Sequence, residues 1–276
     1  VHFYMHGRAG SFVVKKPLIL GHECSGEIVE IGEKVSNLEV GQRVVIEPGF
    51  FCGKCKYCTQ GRYNLCRDSR FFGTPPQDGA FSEFVSAPAE NVFPIPDNVS
   101  YEEGAMIEPL AVGMMAAKRG SITVHDTVAV LGAGPVGQMI LQAARAHGAL
   151  ETYATDVIDY RLDYAKRLGA SAVINSSKED AVERILELTD NKGVDVVVES
   201  SGSPSAAQQA FKMVKPGGRI VLVGIYPTIE IQVPLEYTID KELEIRGVLR
   251  YANVYPTAIR CVSSGKVNVK SLITHR

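Results

Sequence analysis

Val128-Ala129-Val130-Leu131-Gly132-Ala133-Gly134-Pro135-Val136-Gly137 reads as a buried strand, a tight turn and the opening of a helix. Four apolar residues without a polar break suit a strand covered on both faces. Pro135 falls in the first helical turn, where its ring is tolerated, and the helix is expected over 135–146. The turn fits G-x-G-x-x-G, a string of little weight alone that gains meaning between a strand and a helix. Gly132 permits the tight turn. Gly134 lets the backbone approach a pyrophosphate at the helix N-terminus, and Gly137 lets the helix lie close on the sheet. Pro135 and Val136 complete the loop. Asp156 follows the next strand, nineteen positions after Gly137. A carboxylate there accepts hydrogen bonds from the ribose hydroxyls of NAD and repels the extra phosphate of NADP. Arg161 is close enough in sequence to matter at the same site. The competing reading is a structural turn with a solvated Asp at a helix start.

Downstream the rhythm continues. Strands are expected at 152–155, 172–174, 194–198 and 220–223, and helices at 161–168, 181–188 and 206–214, the last stopped by Pro216-Gly217-Gly218. Val223, closing the last strand, is counted among the cofactor-binding residues. Strands alternating with helices mean an α/β fold with a doubly wound parallel sheet. Upstream the pattern is short strands split by turns, at 27–31, 43–46, 81–85 and 92–94, which describes an irregular, β-rich domain. A largely helical connector over 101–119 joins the halves.

The bulk properties agree with two folded domains. The chain has 276 residues, 45% of them apolar and 22% charged, with a net charge of −2. No basic patch favours nucleic acid. The longest apolar region, 127–144, is interrupted by Gly132, Gly134, Pro135, Gly137 and Gln138, which excludes a membrane span there. No secretory signal stands near Val1, so a cytoplasmic protein is expected.

Four of the six cysteines form Cys52-x2-Cys55-x2-Cys58-x7-Cys66. In a chain of this size without a secretory signal, metal is a better reading than disulfides. Four thiolates suit tetrahedral zinc and leave no open position, so the site would be structural. An iron–sulfur cluster is the rival; such motifs usually close with a nearer Cys followed by Pro, whereas Arg67 follows Cys66. In Gly21-His22-Glu23-Cys24-Ser25-Gly26, His22 and Glu23 are both good zinc ligands, and the flanking glycines could turn both toward one ion. A lone His-Glu pair is more often a surface feature. Glu108, in Ile107-Glu108-Pro109-Leu110, is an acid in an apolar stretch and needs a partner. It is a metal ligand, a partner for metal-bound water, or a helix-start acid; the sequence leaves these open. The other histidines lack companions at ligand spacing, with His2 worth watching for its place near the start of the chain.

Together these motifs resemble the zinc-containing medium-chain dehydrogenases. Gly21-His22-Glu23-x2-Gly26-x5-Gly32-x2-Val35 looks like that family's zinc signature, and the four-cysteine lobe, the glycine turn and Asp156 follow in the family's order. Gly61-Arg62-Tyr63-Asn64, Thr74-Pro75-Pro76, Ile107-Glu108-Pro109-Leu110 and Arg250-Tyr251-Ala252-Asn253 look like the polyol (sorbitol and xylitol) branch. The resemblance implies a GroES-like catalytic domain over 1–105, a Rossmann domain over 106–248 and the start of a returning segment over 249–276. It implies a catalytic zinc at His22 and Glu23, with Glu108 binding the zinc or its water, and a structural zinc on Cys52, Cys55, Cys58 and Cys66. Arg250 and Tyr251 would line the substrate site. The implied reaction passes a hydride between a polyol and NAD, giving the ketose. Threonine or secondary-alcohol oxidation, and a catalytically inactive NAD-binding zinc protein, are the alternatives. The family's first zinc ligand, a Cys, would precede Val1, and a further segment would follow Arg276, so the chain is expected to be cut at both ends. Phe3 stands where the family often has Tyr. A homotetramer is a further implication.

Overall fold

The computed structural model describes residues 2–10 and 12–275. Val1 and Arg276, the outermost residues of the first and last expected segments, lie outside them, as does the side chain of His2. The chain forms two compact units, one of Val1–Ala111 with Arg250–Arg276 and one of Val112–Leu249.

The first unit begins with a short helix α1 (His2–His6) and a hairpin of β1 (Arg8–Ala9) with β2 (Phe12–Val13). A three-stranded antiparallel sheet follows, β3 (Ser25–Glu27) on β4 (Arg43–Ile46). The strands β5 (Gly49–Phe50) and β6 (Arg70–Phe71) pair with each other and bracket the cysteine lobe, which holds helix α2 (Lys56–Thr59). Strand β7 (Val92–Pro94) completes the three-stranded sheet on the far edge of β4. Val44 and Val45 are both buried, which is why the central strand is the continuous apolar one. Helix α3 (Tyr101–Ala105) starts at a reciprocal cap, Ser100 accepting from the Glu103 amide while the Glu103 carboxylate accepts from the Ser100 amide. Helix α4 (Ile107–Arg119) follows with Glu108 in its first turn.

The second unit is a six-stranded, wholly parallel sheet. Its strands are β8 (Thr127–Leu131), β9 (Glu151–Asp156), β10 (Ala172–Asn175), β11 (Val194–Glu199), β12 (Val214–Leu222) and β13 (Glu244–Gly247), in the spatial order β10-β9-β8-β11-β12-β13. Helices α5 (Pro135–Ala146), α6 (Asp159–Arg167), α7 (Ala181–Leu188), α8 (Pro204–Met213) and α9 (Glu236–Asp240) connect them. Asp180 caps α7 through the amides of Val182 and Glu183, and Ser203 caps α8. The chain order reverses beside β8, so the glycine turn opens at the switch point where such sheets bind ligands. Helix α10 (Tyr255–Ser263) then belongs to the first unit.

Three expectations are corrected. The strand expected at 27–31 is Ser25–Glu27 and pairs only one residue further, through Ile28, since Val29 and Ile31 are exposed and have no face to bury. No strand forms at 81–85. There the chain just before it turns back, the amides of Gly79, Ala80 and Phe81 bonding to the carbonyls of Ile19, Gly21 and Leu20. Helix α8 ends at Met213, and Pro216-Gly217-Gly218 lies inside β12, not between helix and strand. A register shift opposite β11 absorbs the proline, which has no amide to pair, and the Gly217 amide bonds to Lys241 instead. The edge strand β13 and helices α9 and α10 were not expected, because short apolar runs carry little periodicity.

Candidate metal centres and nucleotide turn

The lobe between β5 and β6 gathers its thiols by local turns. Cys55 precedes α2, Cys58 lies in it, and a 3-10 turn at Tyr63–Leu65 returns the chain to Cys66. One sulfur from each of the four lies within 4.8 Å of the others. Zinc–sulfur bonds of about 2.3 Å place tetrahedron corners about 3.8 Å apart. Cys52 and Cys58 stand 3.9 Å apart and Cys55 and Cys58 3.5 Å, so the donor set fits one such ion.

The second centre is assembled from distant parts. Gly21 holds φ +95°, and a Cβ there would come within 2.6 Å of the Phe81 ring, so only glycine makes this entry into His22 and Glu23. The segment 79–81, at the start of the stretch expected as a strand, therefore shapes the loop. Glu108 reaches the same place from α4. One donor atom each of His22, Glu23 and Glu108 lies within 4.8 Å of the others. Burial pushes the Glu108 carboxyl up to about 8, against the opposing hydrogen bond from Tyr251, whose hydroxyl donates at 2.7 Å. Burial likewise holds His22 down at about 4, so the imidazole is neutral and has a lone pair to give. A buried acid that resists ionising beside a neutral imidazole and a second carboxylate is a donor set that a dication completes. Imidazole nitrogen and carboxylate oxygens are donors that fit zinc.

Arg250 closes this centre. Its guanidinium lies 4.1 Å over the Phe71 ring, and Nη1 donates to Ser69 Oγ at 3.4 Å. The His22 ring meets the same phenyl edge-on, with centroids 5.3 Å apart. Phe71 thus touches both the neutral imidazole and the cation, and sequence reading gave it no role. Tyr251 is buried against Tyr255, whose hydroxyl donates to the Ile46 carbonyl. Glu47 was also missed, although an acid after Val44-Val45-Ile46 is as visible as Glu108. It is 4% exposed, accepts from the Tyr63 hydroxyl at 3.3 Å, and keeps Oε1 without a hydrogen-bond partner among the described residues. Tyr4, beside Phe3, is 81% exposed.

In the second unit the three glycines act differently. A Cβ at Gly132 would lie 2.8 Å from Ser201 Cβ, one at Gly137 would overlap the Gly132 carbonyl, and one at Gly134 would meet nothing. Gly134 therefore faces the open space a pyrophosphate would need, at the N-cap of α5, while the other two serve packing. Pro135 and Val136 open that helix. Asp156 is already engaged: one oxygen accepts from the Ala133 amide at 2.8 Å and faces Arg161 at 3.5 Å, and the other accepts from the amides of Val157 and Ile158. It ties the glycine turn to the end of β9 and stays nearly buried. The Val223 amide bonds to the Glu199 carbonyl just past β12.

Residues 2–97 match the alcohol dehydrogenase GroES-like domain and residues 135–264 the zinc-binding dehydrogenase domain. The chain is 46% identical to a sorbitol dehydrogenase of Bacillus subtilis (strain 168), over 99% of its own length and 78% of the relative's. It belongs to the zinc-containing medium-chain dehydrogenases. Human sorbitol dehydrogenase is 42% identical over 100% of the chain and 78% of its own length. A crystal structure of an Escherichia coli oxidoreductase of unknown specificity superposes with a TM-score of 0.92 at 41% identity, covering 95% of this chain and 76% of that one. As a medium-chain dehydrogenase the protein uses zinc and combines a GroES-like with a Rossmann-type domain. No helix among the described residues is long and apolar enough to cross a membrane.

Proposed function

We propose that the protein oxidises a secondary hydroxyl of an open-chain polyol, of the sorbitol or xylitol kind, to the ketose with NAD, and catalyses the reverse reduction. The observation that carries this reading is the convergence of His22, Glu23 and Glu108 beside the Arg250 guanidinium. His22, Glu23 and Glu108 would hold the catalytic zinc and Cys52, Cys55, Cys58 and Cys66 the structural one. Zinc bound by His22, Glu23 and Glu108 would supply Lewis acidity that lowers the pKa of an alcohol. NAD bound on the Gly132–Gly137 turn supplies the hydride acceptor.

The chain's own groups do the rest. Arg250 offers several donors in a fixed plane, and Phe71 beneath it keeps that plane oriented. A polyol presents neighbouring hydroxyls to such a fork, whereas a simple alcohol has only one, so Arg250 selects both substrate and carbon. Tyr251 fixes Glu108 by donating to Oε1. Gly134 leaves room for the cofactor's pyrophosphate. A carboxylate at the end of the second strand of such a fold lies near the adenosine ribose, so Asp156 supports NAD over NADP. Four cysteines gathered as zinc thiolates suit a reducing compartment, in keeping with a cytoplasmic site of action. Assembly as a homotetramer is part of the same reading and is checked by light scattering.

The test is NAD reduction with sorbitol and xylitol, before and after chelation. Zinc-dependent turnover of polyols is expected. Activity that persists after complete zinc removal overturns the reading, as does a preference for threonine.

A further inference from the structure

Two four-residue stretches far apart in sequence, Gly61-Arg62-Tyr63-Asn64 and Arg250-Tyr251-Ala252-Asn253, meet in the first unit. The Asn253 side-chain amide donates to the Gly61 carbonyl at 2.7 Å, and its backbone amide donates to the Tyr63 hydroxyl, also at 2.7 Å. The same hydroxyl donates to Glu47, so it is fixed by one bond accepted and one donated. Gly61 and Tyr63 sit between Cys58 and Cys66, on the cysteine lobe itself.

The loop these bonds grip is conformationally costly. Arg250 and Asn253 both adopt left-handed backbone, at φ 52° and 57°. That region is uncommon for a side chain as long as arginine and readily entered by asparagine. The two residues bracket Tyr251-Ala252, which are buried, while Asn253 is exposed. Next to the clamp, Glu47, Tyr63, Asn253, Phe51 and Phe93 line a cavity of about 420 Å³. Close packing therefore ends at Asn253, and directed hydrogen bonds set its position. Arg250, at the other end of the bracket, is the group that lies on Phe71 beside His22.

We infer that Asn253 is a positioning residue for substrate recognition, fastening the Arg250 loop to the cysteine lobe so that the guanidinium is presented in one orientation. The inference rests on the polyol reading above. Asn253 does not touch the reacting atoms; it acts through Arg250. The lobe thereby serves specificity as well as stability.

The test compares Asn253→Gly and Asn253→Asp in the complete, zinc-loaded protein. Glycine keeps the left-handed backbone and the Tyr63 bond and loses only the bond to Gly61. Aspartate keeps the shape but sets a carboxylate oxygen against the Gly61 carbonyl. One net hydrogen bond corresponds to about a fivefold effect, so KM for the polyol is expected to rise about fivefold in the glycine variant and more in the aspartate variant, with kcat and zinc content unchanged. Amide exchange at 250–254 should accelerate by a similar factor. A fall in kcat at constant KM, or unchanged exchange and unchanged KM, overturns the inference. A wild-type protein inactive on polyols retracts the parent reading and the specificity claim together. Faster exchange in the variants would then show that the clamp is real but structural.

Discussion

Glu47 and Glu108 are both acids placed in apolar surroundings, and the structure separates their fates. Glu108 has Tyr251, His22 and Glu23 around it, a set a metal completes. Glu47 has the Tyr63 hydroxyl and one oxygen without a partner among the described residues. Burial pushes its carboxyl from 4.5 up to about 7. The folded protein thus binds this proton more tightly than the unfolded chain, and stability falls as pH rises between about 4.5 and 7. Glu47→Gln removes the buried charge while leaving an acceptor for Tyr63. The variant is expected to exceed the wild type by about 1–3 kcal/mol at pH 8, with the gap closing by pH 5. Urea unfolding at both pH values measures this, and a gap that is equal at both would refute it. Arg250→Lys keeps the charge and loses the planar fork stacked on Phe71. A fall in kcat/KM for polyols of about 10- to 100-fold is expected, mostly in KM. Steady-state kinetics decide it, and a change below twofold would mean that Arg250 supplies charge alone.

At the scale of elements, the glycine turn shows how one motif divides its labour. Gly137 lies where α5 rests on the Gly132 carbonyl, whereas Gly134 faces open space. Gly134→Val should leave the melting temperature within about 2 °C while weakening NAD binding by tenfold or more, because the added atoms fill the room of the pyrophosphate. Gly137→Ala should instead destabilise by about 1–3 kcal/mol through overpacking. Calorimetry and NAD titration of both variants separate the two roles, and equal effects on binding would contradict the assignment. The same turn explains why Asp156 resisted full interpretation from sequence. Its spacing singled out the residue as a candidate, but three backbone amides and Arg161 share its oxygens, so it also builds the turn.

For the molecule as a whole, a cofactor that binds only the folded state raises stability by mass action. NAD at about one hundred times its Kd adds about 2.7 kcal/mol. The melting temperature is expected to climb with NAD concentration and to respond weakly to NADP at equal concentration. Thermal shift assays measure both, and a larger response to NADP would overturn the role given to Asp156. The second unit was legible in the sequence because each βα repeat announces itself locally, by apolar runs, a proline at N1 and caps such as Asp180. The first unit was less so. Its strands are two to four residues long, too short for a period to show, and the stretch expected as a strand at 81–85 follows a segment that folds against Gly21.

By itself the sequence determined the doubly wound sheet and singled out the cysteine lobe and the candidate residues His22, Glu23 and Glu108, because these depend on local spacing and on residue chemistry. Tertiary structure decided how close Glu108 comes to His22 and Glu23, and alone decided that Phe71 touches both His22 and Arg250 and that Asn253 bonds to the lobe. Those contacts join residues up to 192 positions apart. No periodicity reports such pairings, since their partners are chosen only when the chain buries its apolar faces and must satisfy the polar groups taken along.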